Sequence, residues 1–583
     1  MAKLTARAPL GAGAPIVPNI HKEGAGIVQL PCWLEPGESV VLDWGRKRTG
    51  WIHLAGKGTL DFLYASHQAF FIYGDQESFW RFPNFVAADA IGQVFLGKEP
   101  VPVQTQAVAL RLMRLTNGSD VPALITAAFL EPSEYPAQPQ GSFRCDDEVL
   151  NQAWQMGVDT VHLCTQPARA SQIPVFAPFG NGYVQWDGCR TNREVWGGDL
   201  RASALAWYYN FVDQTPIANS LYVLIRGQHV DCSEHGLFPG SGSTRQKYYE
   251  WAFWEVVCLY EYLLHTDDPY LKGPLRYALP MFLRWCEGKL AESPDGFIHT
   301  DRSWMYTIPF EKQALPALQV VAILGLWALA SLFLLLDLED EARRAQRLLT
   351  GIQGRFHQSF WVEELGTYRF AHLYDGVLRS DLCTNCWAIL ADLVPEPRQL
   401  LERIRRCHGT SVGSVNLSPG VPYASPHDGT IWPYANAYEV AARFHAGDAE
   451  GALLLLRKYA GAVRELGLET MPEMFGSDGS LPILPDGSVF SLSHAWAGQA
   501  SWALQRYLLG VYPLKPGWKQ FAFKPATSSL GWVQGVVVTP QGPLEITLER
   551  KKDGFRGQVV YPQGVQCVVD PKVTGQVSLR HRG

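Results

Sequence analysis

The feature that most limits how this chain can fold is a long series of helical segments in its middle. Between residues 141 and 510, apolar residues recur at helical spacing in stretches of ordinary helix length. These stretches cover residues 148–164, 199–212, 216–228, 248–265, 271–289, 315–336, 339–359, 379–393, 398–407, 435–445, 449–466 and 493–510. Their connections alternate between short and long, and no fixed repeat length indicates an open solenoid. The pattern predicts helical hairpins closed into a ring, an (α/α)6 toroid.

Segments typical of β-strands flank the helical region on both sides. They are short, rich in β-branched and aromatic residues, and separated by Gly, Pro and Asn. At 583 residues the chain is also too long for one compact core. We therefore predict a multidomain protein, with an N-terminal β-sandwich at residues 1–140, a catalytic (α/α)6 barrel at 141–510 and a C-terminal β-sandwich at 511–583.

The most unusual loop is residues 185–200, which read QWDGCRTNREVWGGDL. It combines carboxylates, guanidinium groups and two tryptophans, and it has no apolar periodicity. Charged groups can exchange hydrogen bonds with the hydroxyls of a sugar, and indole faces can cover its C–H patches. The composition favours a site for a neutral, hydroxyl-rich ligand. The alternative is a surface loop with a cluster of salt bridges.

Five other loops have a similar content and fall between predicted helices. Each places a carboxylate or histidine near one or more aromatic rings, and they cover residues 236–254, 295–308, 417–438, 469–478 and 491–496. If the helices close into a ring, these loops should meet at one mouth. We expect Trp432, in the third of these five loops, to lie at that mouth rather than in the core.

Cleavage of a glycosidic bond needs two carboxyl groups from different sides of the bond. Asp187, Glu194 and Asp199 are the candidates on one side, and Glu469 and Glu473 are the candidates on the other. No serine-hydrolase, zinc-protease or phosphate-loop motif competes with this interpretation.

Composition narrows the remaining classes. The net charge of −6 and a pI near 6.2, without a basic run, argue against nucleic-acid binding. The N-terminus lacks the apolar core of a signal peptide. The apolar run 315–336 is interrupted by polar and small residues, which favours a buried helix over a membrane span. Cys383 and Cys386 form a CxxC without a second pair, so we interpret them as helix residues.

From these features we expect a cytoplasmic enzyme that acts on a glycoside or oligosaccharide. We expect no metal, no cofactor, no nucleic-acid partner and no membrane partner. The sequence leaves open whether the chain forms a homo-oligomer.

At several places the sequence resembles the α-L-rhamnosidases of glycoside hydrolase family 78. The stretch DGCRTNREVWGGDL at 187–200 is similar to the family's hallmark D-G-x-K-R-[DE]-x-x-x-W-x-G-D. LDWGRKRTGWIHL at 42–54, GSFRCDDEVLNQAW at 141–154 and SLSHAWAG at 491–498 resemble other family segments. GVYPLKPGWKQFAFKP at 510–525 resembles the junction between the barrel and the terminal sandwich.

The resemblance implies roles for individual residues. Glu473 would be the general base that activates water in an inverting reaction. The remaining residues would bind the sugar: Asp187 and Asp199 its hydroxyls, the wall of Trp196, Trp254 and Trp304 its methyl group, and His494 a position near the base. On the content of their loops we add Arg190, Arg193, Trp432 and Trp496 as candidate substrate-binding residues.

One departure from the family pattern affects catalysis. The family's general acid falls at Asn192, whose amide cannot supply a proton at a useful pKa. Three interpretations stay open at this stage. Glu194 takes over as the acid, Asp187 or Asp199 donates the proton, or the protein is weakly active on ordinary rhamnosides. Loss of a general acid typically costs ~100- to 10,000-fold in rate.

Three functions remain after these arguments. The first is an exo-acting α-L-rhamnosidase or a relative acting on another pyranoside. The second is a catalytically weak carbohydrate-binding protein on a glycosidase scaffold. The third is a different toroid enzyme, such as a lyase or a phosphorylase, the last suggested by the arginines at 190, 193 and 302.

Overall fold

The structure is a computed structural model. It describes residues 14–22, 26–65, 91–103, 107–170, 182–189, 193–230, 234–242, 248–304, 311–372, 377–418, 429–482, 489–552, 554–573 and 575–582. Among the predicted site residues, Arg190 and Asn192 lie outside these ranges.

An N-terminal β-domain precedes the helices. Its strands are β1 (Asn19–Lys22), β2 (Gly26–Val28), β3 (Cys32–Leu34), β4 (Ser39–Ala65), β5 (Ile91–Leu96), β6 (Val101–Pro102), β7 (Val108–Thr116) and β8 (Ala123–Pro132). The long strand β4 pairs with β1, β5, β6, β7 and β8. Alternate β4 residues such as Val40, Leu42 and Leu54 are fully buried, because successive side chains of a strand point to opposite faces. β-Structure is therefore found where the sequence predicted it.

The central region is helical, as predicted. Its helices are α1 (Glu148–Leu163), α2 (Gly197–Asn210), α3 (Thr215–Val230), α4 (Tyr249–Thr266), α5 (Pro269–Ala291), α6 (Pro316–Leu335), α7 (Glu339–Phe360), α8 (Leu382–Leu390), α9 (Pro397–His408), α10 (Pro433–His445), α11 (Ala449–Glu465) and α12 (Gln499–Ala503). Aspartates cap several of them: the Asp147 side chain accepts from the first amides of α1, and Asp448 accepts from Gly451 N in α11.

The even-numbered helices pack side by side in chain order. Contacts run from α2 to α4, α6, α8, α10 and α12, and α12 packs back against α2. The other helices pack behind them, α7 against α6 and α11 against α10, for example. Short connecting strands lie between the helices: β10 (Thr165–Pro167), β11 (Tyr183–Gln185), β12 (His299–Thr300), β13 (Gln313–Ala314), β14 (Trp361–Val362), β15 (Thr367–Tyr368), β16 (Thr430–Ile431) and β17 (Phe475–Gly476).

Helix α6 is the apolar run singled out in the sequence. Among the described helices it alone is long and apolar enough to cross a membrane, yet 72% of its most apolar window is buried inside the protein. Its side chains pack against α4, α7 and α8. The run lies in the interior, as predicted. Cys383 and Cys386 are also buried helix residues, in α8.

The last predicted helix, residues 493–510, is divided into three parts. A 3-10 turn spans Ala495–Gly498, α12 follows, and a π-helical segment spans Leu504–Leu509. Apolar periodicity predicted the segment but could not distinguish among the three kinds of helical hydrogen bonding.

The C-terminal part forms two sheets. Their strands are β9 (Ser142–Cys145), β18 (Val511–Pro513), β19 (Gln520–Phe523), β20 (Trp532–Val537), β21 (Leu544–Lys551), β22 (Gly554–Tyr561), β23 (Gln566–Val569) and β24 (Gly575–His581). Strand β9 pairs with β20, although it directly precedes α1 in the chain. The sequence assigned residues 142–145 to the helical region, so this strand corrects that detail. A backbone partner so far along the chain has no local sequence signal.

Candidate active site

Asp187 is anchored by N–H donors from its own loop. Its Oδ1 accepts hydrogen bonds from Gly188 N at 2.8 Å and Glu194 N at 3.0 Å, and its Oδ2 accepts from Trp196 Nε1 at 3.1 Å. Its backbone carbonyl accepts from Ala495 N. The side chain is 2% exposed, and burial raises its pKa to about 6 despite the nearby His494. Three N–H donors fix both oxygens in the role of acceptors.

His494 connects two carboxyl groups from distant parts of the chain. Its Nε2 lies 3.0 Å from Asp199 Oδ1, and its Nδ1 lies 3.7 Å from Glu473 Oε2. Asp199 is in the first turn of α2. Glu473 N donates to the Ser491 carbonyl oxygen, and Ser491 N donates to Glu473 Oε2 at 3.4 Å. We call Asp187, Asp199, Glu473 and His494 the carboxyl side of the pocket.

Burial controls the protonation of this side. It raises the pKa of Asp199 to about 8 and also raises the pKa of Glu473, which the nearby His494 lowers and the charges of Asp187 and Asp199 raise further. Three carboxyl groups in one dry pocket cannot all ionise at neutral pH, because each charge raises the cost of the next. The arrangement suits acid–base chemistry.

Four tryptophans in mutual ring contact lie next to the carboxyl side, and we call them the indole side: Trp251, Trp304, Trp432 and Trp496. The rings of Trp251 and Trp304 stack with centroids 4.0 Å apart, and those of Trp432 and Trp496 with centroids 5.9 Å apart. Trp304 lies 5.9 Å from Trp432 and 6.1 Å from Trp496. Trp496 also contacts His494, with ring centroids 4.5 Å apart, so the two sides meet there.

Glycine allows this wall to approach the first turn of α2. A Cβ on Gly198 would lie 1.8 Å from the Trp251 ring, and a Cβ on Gly197 would lie 2.8 Å from the Trp251 carbonyl oxygen. The two glycines of the sequence GGD therefore bring the Trp251 ring close to Asp199. A larger residue at Gly198 would force the ring away from the pocket.

The predicted tryptophans have different surroundings. Trp196 donates to Asp187 and lies 6.2 Å from the ring of Tyr248. Trp254 is 1% exposed, and its ring contacts Trp387, Tyr438 and the Arg201 guanidinium. The sugar-contact role of Trp254 stays a prediction. Trp251, three positions earlier on the same helix, is the residue that stacks on Trp304.

The side chains of Arg193 and Glu194, two other candidates, form hydrogen bonds with backbone groups. Arg193, in a left-handed conformation with φ of 48°, donates to the backbone carbonyls of Ala170, Ala107 and Cys189. The bond to Ala107 ties the loop to the N-terminal β-domain. Glu194 Oε1 accepts from Val195 N at 2.7 Å in a fully buried position. Glu194 reaches the carboxyl side through its backbone, whose N–H donates to Asp187 Oδ1.

Glu469 and Glu473, the two candidates for the base, differ in their partners and in their exposure to solvent. Glu469 pairs with Arg111 and accepts from Lys47 N, both from the N-terminal β-domain. Its side chain is 36% exposed, whereas that of Glu473 is 12% exposed and lies beside His494. The structure thus favours Glu473 as the catalytic candidate of this loop.

Two further residues at the site were not among the predicted set. Tyr434, in the first turn of α10, contacts Trp251, Trp304 and Trp496. Tyr248, which precedes the first residue of α4, lies with its ring 6.2 Å from that of Trp196. The sequence context of Tyr248, KYYEWAFW, was recognised as a candidate loop, but helical spacing alone did not separate the pocket face from the core face.

Metal binding receives no support from the part of the chain that the structure describes. It contains no group of three or more His, Cys, Asp or Glu side chains that could hold a metal ion. The expectation that the site uses no metal stays untested.

Comparison with known proteins finds similarity both in sequence and in fold. Residues 510–580 match the family model of the bacterial alpha-L-rhamnosidase C-terminal domain. An alpha-L-rhamnosidase from Alteromonas sp. (strain LOR) is 33% identical over 82 residues, which cover 14% of this chain and 9% of that protein. The family match therefore lies in the C-terminal region.

Solved structures share the fold over most of the chain. The family 78 rhamnosidase of Bacillus sp. GL1 aligns with a TM-score of 0.74 and 19% identity, covering 95% of this chain and 56% of that one. A rhamnosidase from Klebsiella oxytoca with rhamnose bound aligns with a TM-score of 0.62 and 17% identity, covering 84% of this chain and 94% of that one. The chain spans about half the length of the Bacillus enzyme. The resemblance stated from the sequence motifs is confirmed.

Proposed function

Since the chain is α-L-rhamnosidase-like in its C-terminal domain and in its fold, we propose that it is a glycoside hydrolase that removes terminal α-L-rhamnose or a closely related sugar. The observation that carries the proposal is the pocket itself. Buried carboxyl groups from loops far apart in sequence face a wall of stacked indoles, an arrangement suited to one monosaccharide.

The helical region is proposed to be an (α/α)6 toroid. The succession of contacts from α2 through the even-numbered helices and back from α12 to α2 supports this architecture. A closed ring explains why loops that follow different helices deliver their side chains to one pocket. We further propose that the enzyme is exo-acting, because a pocket walled on one side by indoles suits a chain end rather than the interior of a polymer. We also propose that it is cytoplasmic.

Each side of the pocket has its own task in the proposed reaction. Asp187 and Asp199 accept or share hydrogen bonds with sugar hydroxyls. The indole side covers the apolar face and the methyl group of the deoxy-sugar. The N–H groups of Trp304 and Trp496 have no hydrogen-bond acceptor among the described residues, so a bound sugar oxygen would satisfy donors that are costly to leave unpaired.

Glu473 is proposed to be the general base of an inverting reaction. It takes a proton from water as the water oxygen attacks the anomeric carbon. His494 connects Asp199 to Glu473. The raised pKa of Asp199 favours its protonated form, whose O–H donates to His494 Nε2. The other imidazole nitrogen, Nδ1, then carries a proton facing Glu473 and stabilises its carboxylate.

The test is hydrolysis of aryl glycosides by the purified chain, with and without inorganic phosphate. The proposal is supported if the chain hydrolyses an aryl α-L-rhamnoside faster than the matching aryl α-L-fucoside and α-D-mannoside. Turnover that requires phosphate would indicate a phosphorylase. Binding of rhamnose without any turnover would favour the second candidate, a carbohydrate-binding protein, for which Asn192 at the family's acid position is the specific observation.

A further inference from the structure

Another cavity lies between the helical region and the C-terminal sheets. Its volume is about 740 Å³, which falls within the roughly 300–1,000 Å³ of sites that hold small molecules. The end of α10, the π-helical segment and residues of the C-terminal strands form its walls. The cavity is therefore large enough for a molecule of one or two sugar rings.

Helix α10 separates this cavity from the active-site pocket. Tyr434, in the first turn of the helix, contacts the indole side. Phe444 and His445, in its last turn, line the cavity. Ten residues of α-helix advance by roughly 15 Å. The cavity is therefore distinct from the pocket in which the glycoside is proposed to bind.

Cationic side chains dominate the cavity wall. Among the described residues that line it, four carry a positive charge and only Asp570 carries a negative one: Arg398, Arg506, Lys524 and Lys572. With His445 neutral, the wall has a net charge of +3, whereas the whole chain has a net charge of −6. A cleft lined by charges of one sign concentrates the electric field and attracts ions of the other sign.

The Arg506 guanidinium is held by ring faces instead of by a carboxylate. It lies 3.4 Å from the centroid of the Tyr512 ring and 5.0 Å from that of the Tyr507 ring. The described residues offer it no hydrogen bond and no ion pair. A guanidinium stacked on an aromatic ring keeps its N–H donors at the edge of its own plane. Those donors can bind the oxygens of an anion.

The other cations of the wall are fixed by short contacts. Lys524 Nζ lies 3.4 Å from Asp570 Oδ2, and Lys572 N donates to Asp570 Oδ1 at 2.8 Å. Asp570 thus holds both lysines at one side of the cavity. Arg398 donates through Nε and Nη2 to two carbonyl oxygens just after α10, and its Nη1 has no partner among the described residues.

We propose that this cavity binds a small polyanion, a molecule of one or two sugar rings that carries phosphate or carboxylate groups. Guanidinium groups bind the paired oxygens of both anions, and lysine adds compact positive charges. Aromatic rings in the same wall offer apolar contact to the rest of the molecule: Tyr507, Tyr512 and Phe555. This site goes beyond the proposed hydrolysis of rhamnosides and does not depend on it.

Isothermal titration calorimetry on the full chain tests the proposal, with pyrophosphate and digalacturonate as probes and maltose as the neutral control. We expect one equivalent of anion to bind, and we expect added salt to weaken its binding because salt screens the charges. Binding of pyrophosphate alone would indicate a phosphate-bearing ligand, and binding of digalacturonate alone a carboxylate-bearing one. Binding of neither probe, or equal binding of maltose and digalacturonate, would overturn the proposal.

Three variants locate the binding. Arg506→Gln should weaken it roughly 10- to 100-fold, because a charged donor of the cavity is lost. Lys524→Gln should weaken it roughly 2- to 5-fold. Lys519→Gln is the matched control and should bind as the wild type does. Lys519 and Lys524 both pair with an aspartate and are 61% and 55% exposed, but only Lys524 lines the cavity.

Two results with the variants would overturn the proposal. One is wild-type affinity in Arg506→Gln, and the other is an equal loss in both lysine variants, which would reflect the overall charge of the chain. Circular dichroism reports whether Arg506→Gln is folded. If it is not, the comparison of Lys524→Gln with Lys519→Gln decides the matter.

Discussion

The carboxyl side and the indole side of the pocket are held in place by different forces. On the carboxyl side, Asp187, Asp199 and Glu473 are each oriented by N–H donors or by His494. On the indole side, ring stacking sets the positions, and the N–H groups of Trp304 and Trp496 lack acceptors among the described residues. Hydrogen bonds to charged groups are directional and costly to lose, whereas stacked rings tolerate small displacements. Substitutions on the carboxyl side should therefore cause large losses of activity, and substitutions on the indole side should cause smaller ones.

The largest effect is expected for Glu473→Gln. Removing the base should lower kcat about 1,000-fold while rhamnose binding changes little, because water is no longer activated but the sugar still fits. Steady-state kinetics and a rhamnose titration would measure both quantities. Glu469→Gln is the control from the same loop and should retain activity within about 10-fold, since its partners belong to the N-terminal β-domain. The reverse ranking would reassign the base.

His494→Asn tests the connection between the two carboxyls. We expect kcat/KM to fall roughly 10- to 100-fold, in line with the loss of the buried hydrogen bond to Asp199. Because His494 lowers the pKa of Glu473, its removal should move the acid limb of the pH profile to higher pH. The base must be ionised to work, so activity is lost as pH falls through its pKa. An unchanged limb would mean that the imidazole only fills space.

The indole side is probed by the pair Trp251→Phe and Trp254→Phe. The first should raise KM roughly 10-fold with a smaller effect on kcat, because stacking area against Trp304 is reduced. The second should leave KM nearly unchanged and lower the melting temperature, because Trp254 packs on Trp387 and Tyr438. A higher KM for Trp254→Phe alone would restore the family assignment.

The smallest effect is expected for the stability of Glu255→Gln. Burial raises the pKa of Glu255 well above its ordinary value. The folded protein then keeps a proton that the unfolded chain releases, so wild-type stability should fall as pH rises above about 4.5. The variant should match the wild type within ~1 kcal/mol in acid and become the more stable of the two in mild base. Urea unfolding at the two pH values measures the difference, and a variant less stable at both would contradict it.

The contrast between Trp251 and Trp254 shows where sequence reasoning reached its limit. Both residues lie on α4 three positions apart, so helical spacing places them on neighbouring faces without saying which face meets the pocket. Gly198 decides the matter by admitting the Trp251 ring over the first turn of α2.

By itself the sequence determined the order of β, helical and β regions and the burial of α6, and it singled out the loops from which the candidate site residues come. These follow from periodicity and local composition, which act over a few residues. Only the tertiary structure decided that Asp199 meets His494 across 295 positions, that β9 joins the C-terminal sheet, and which carboxyls accept N–H bonds. Those outcomes depend on which helices become neighbours and on how much water is excluded between them, and neither quantity is encoded in any short stretch of chain.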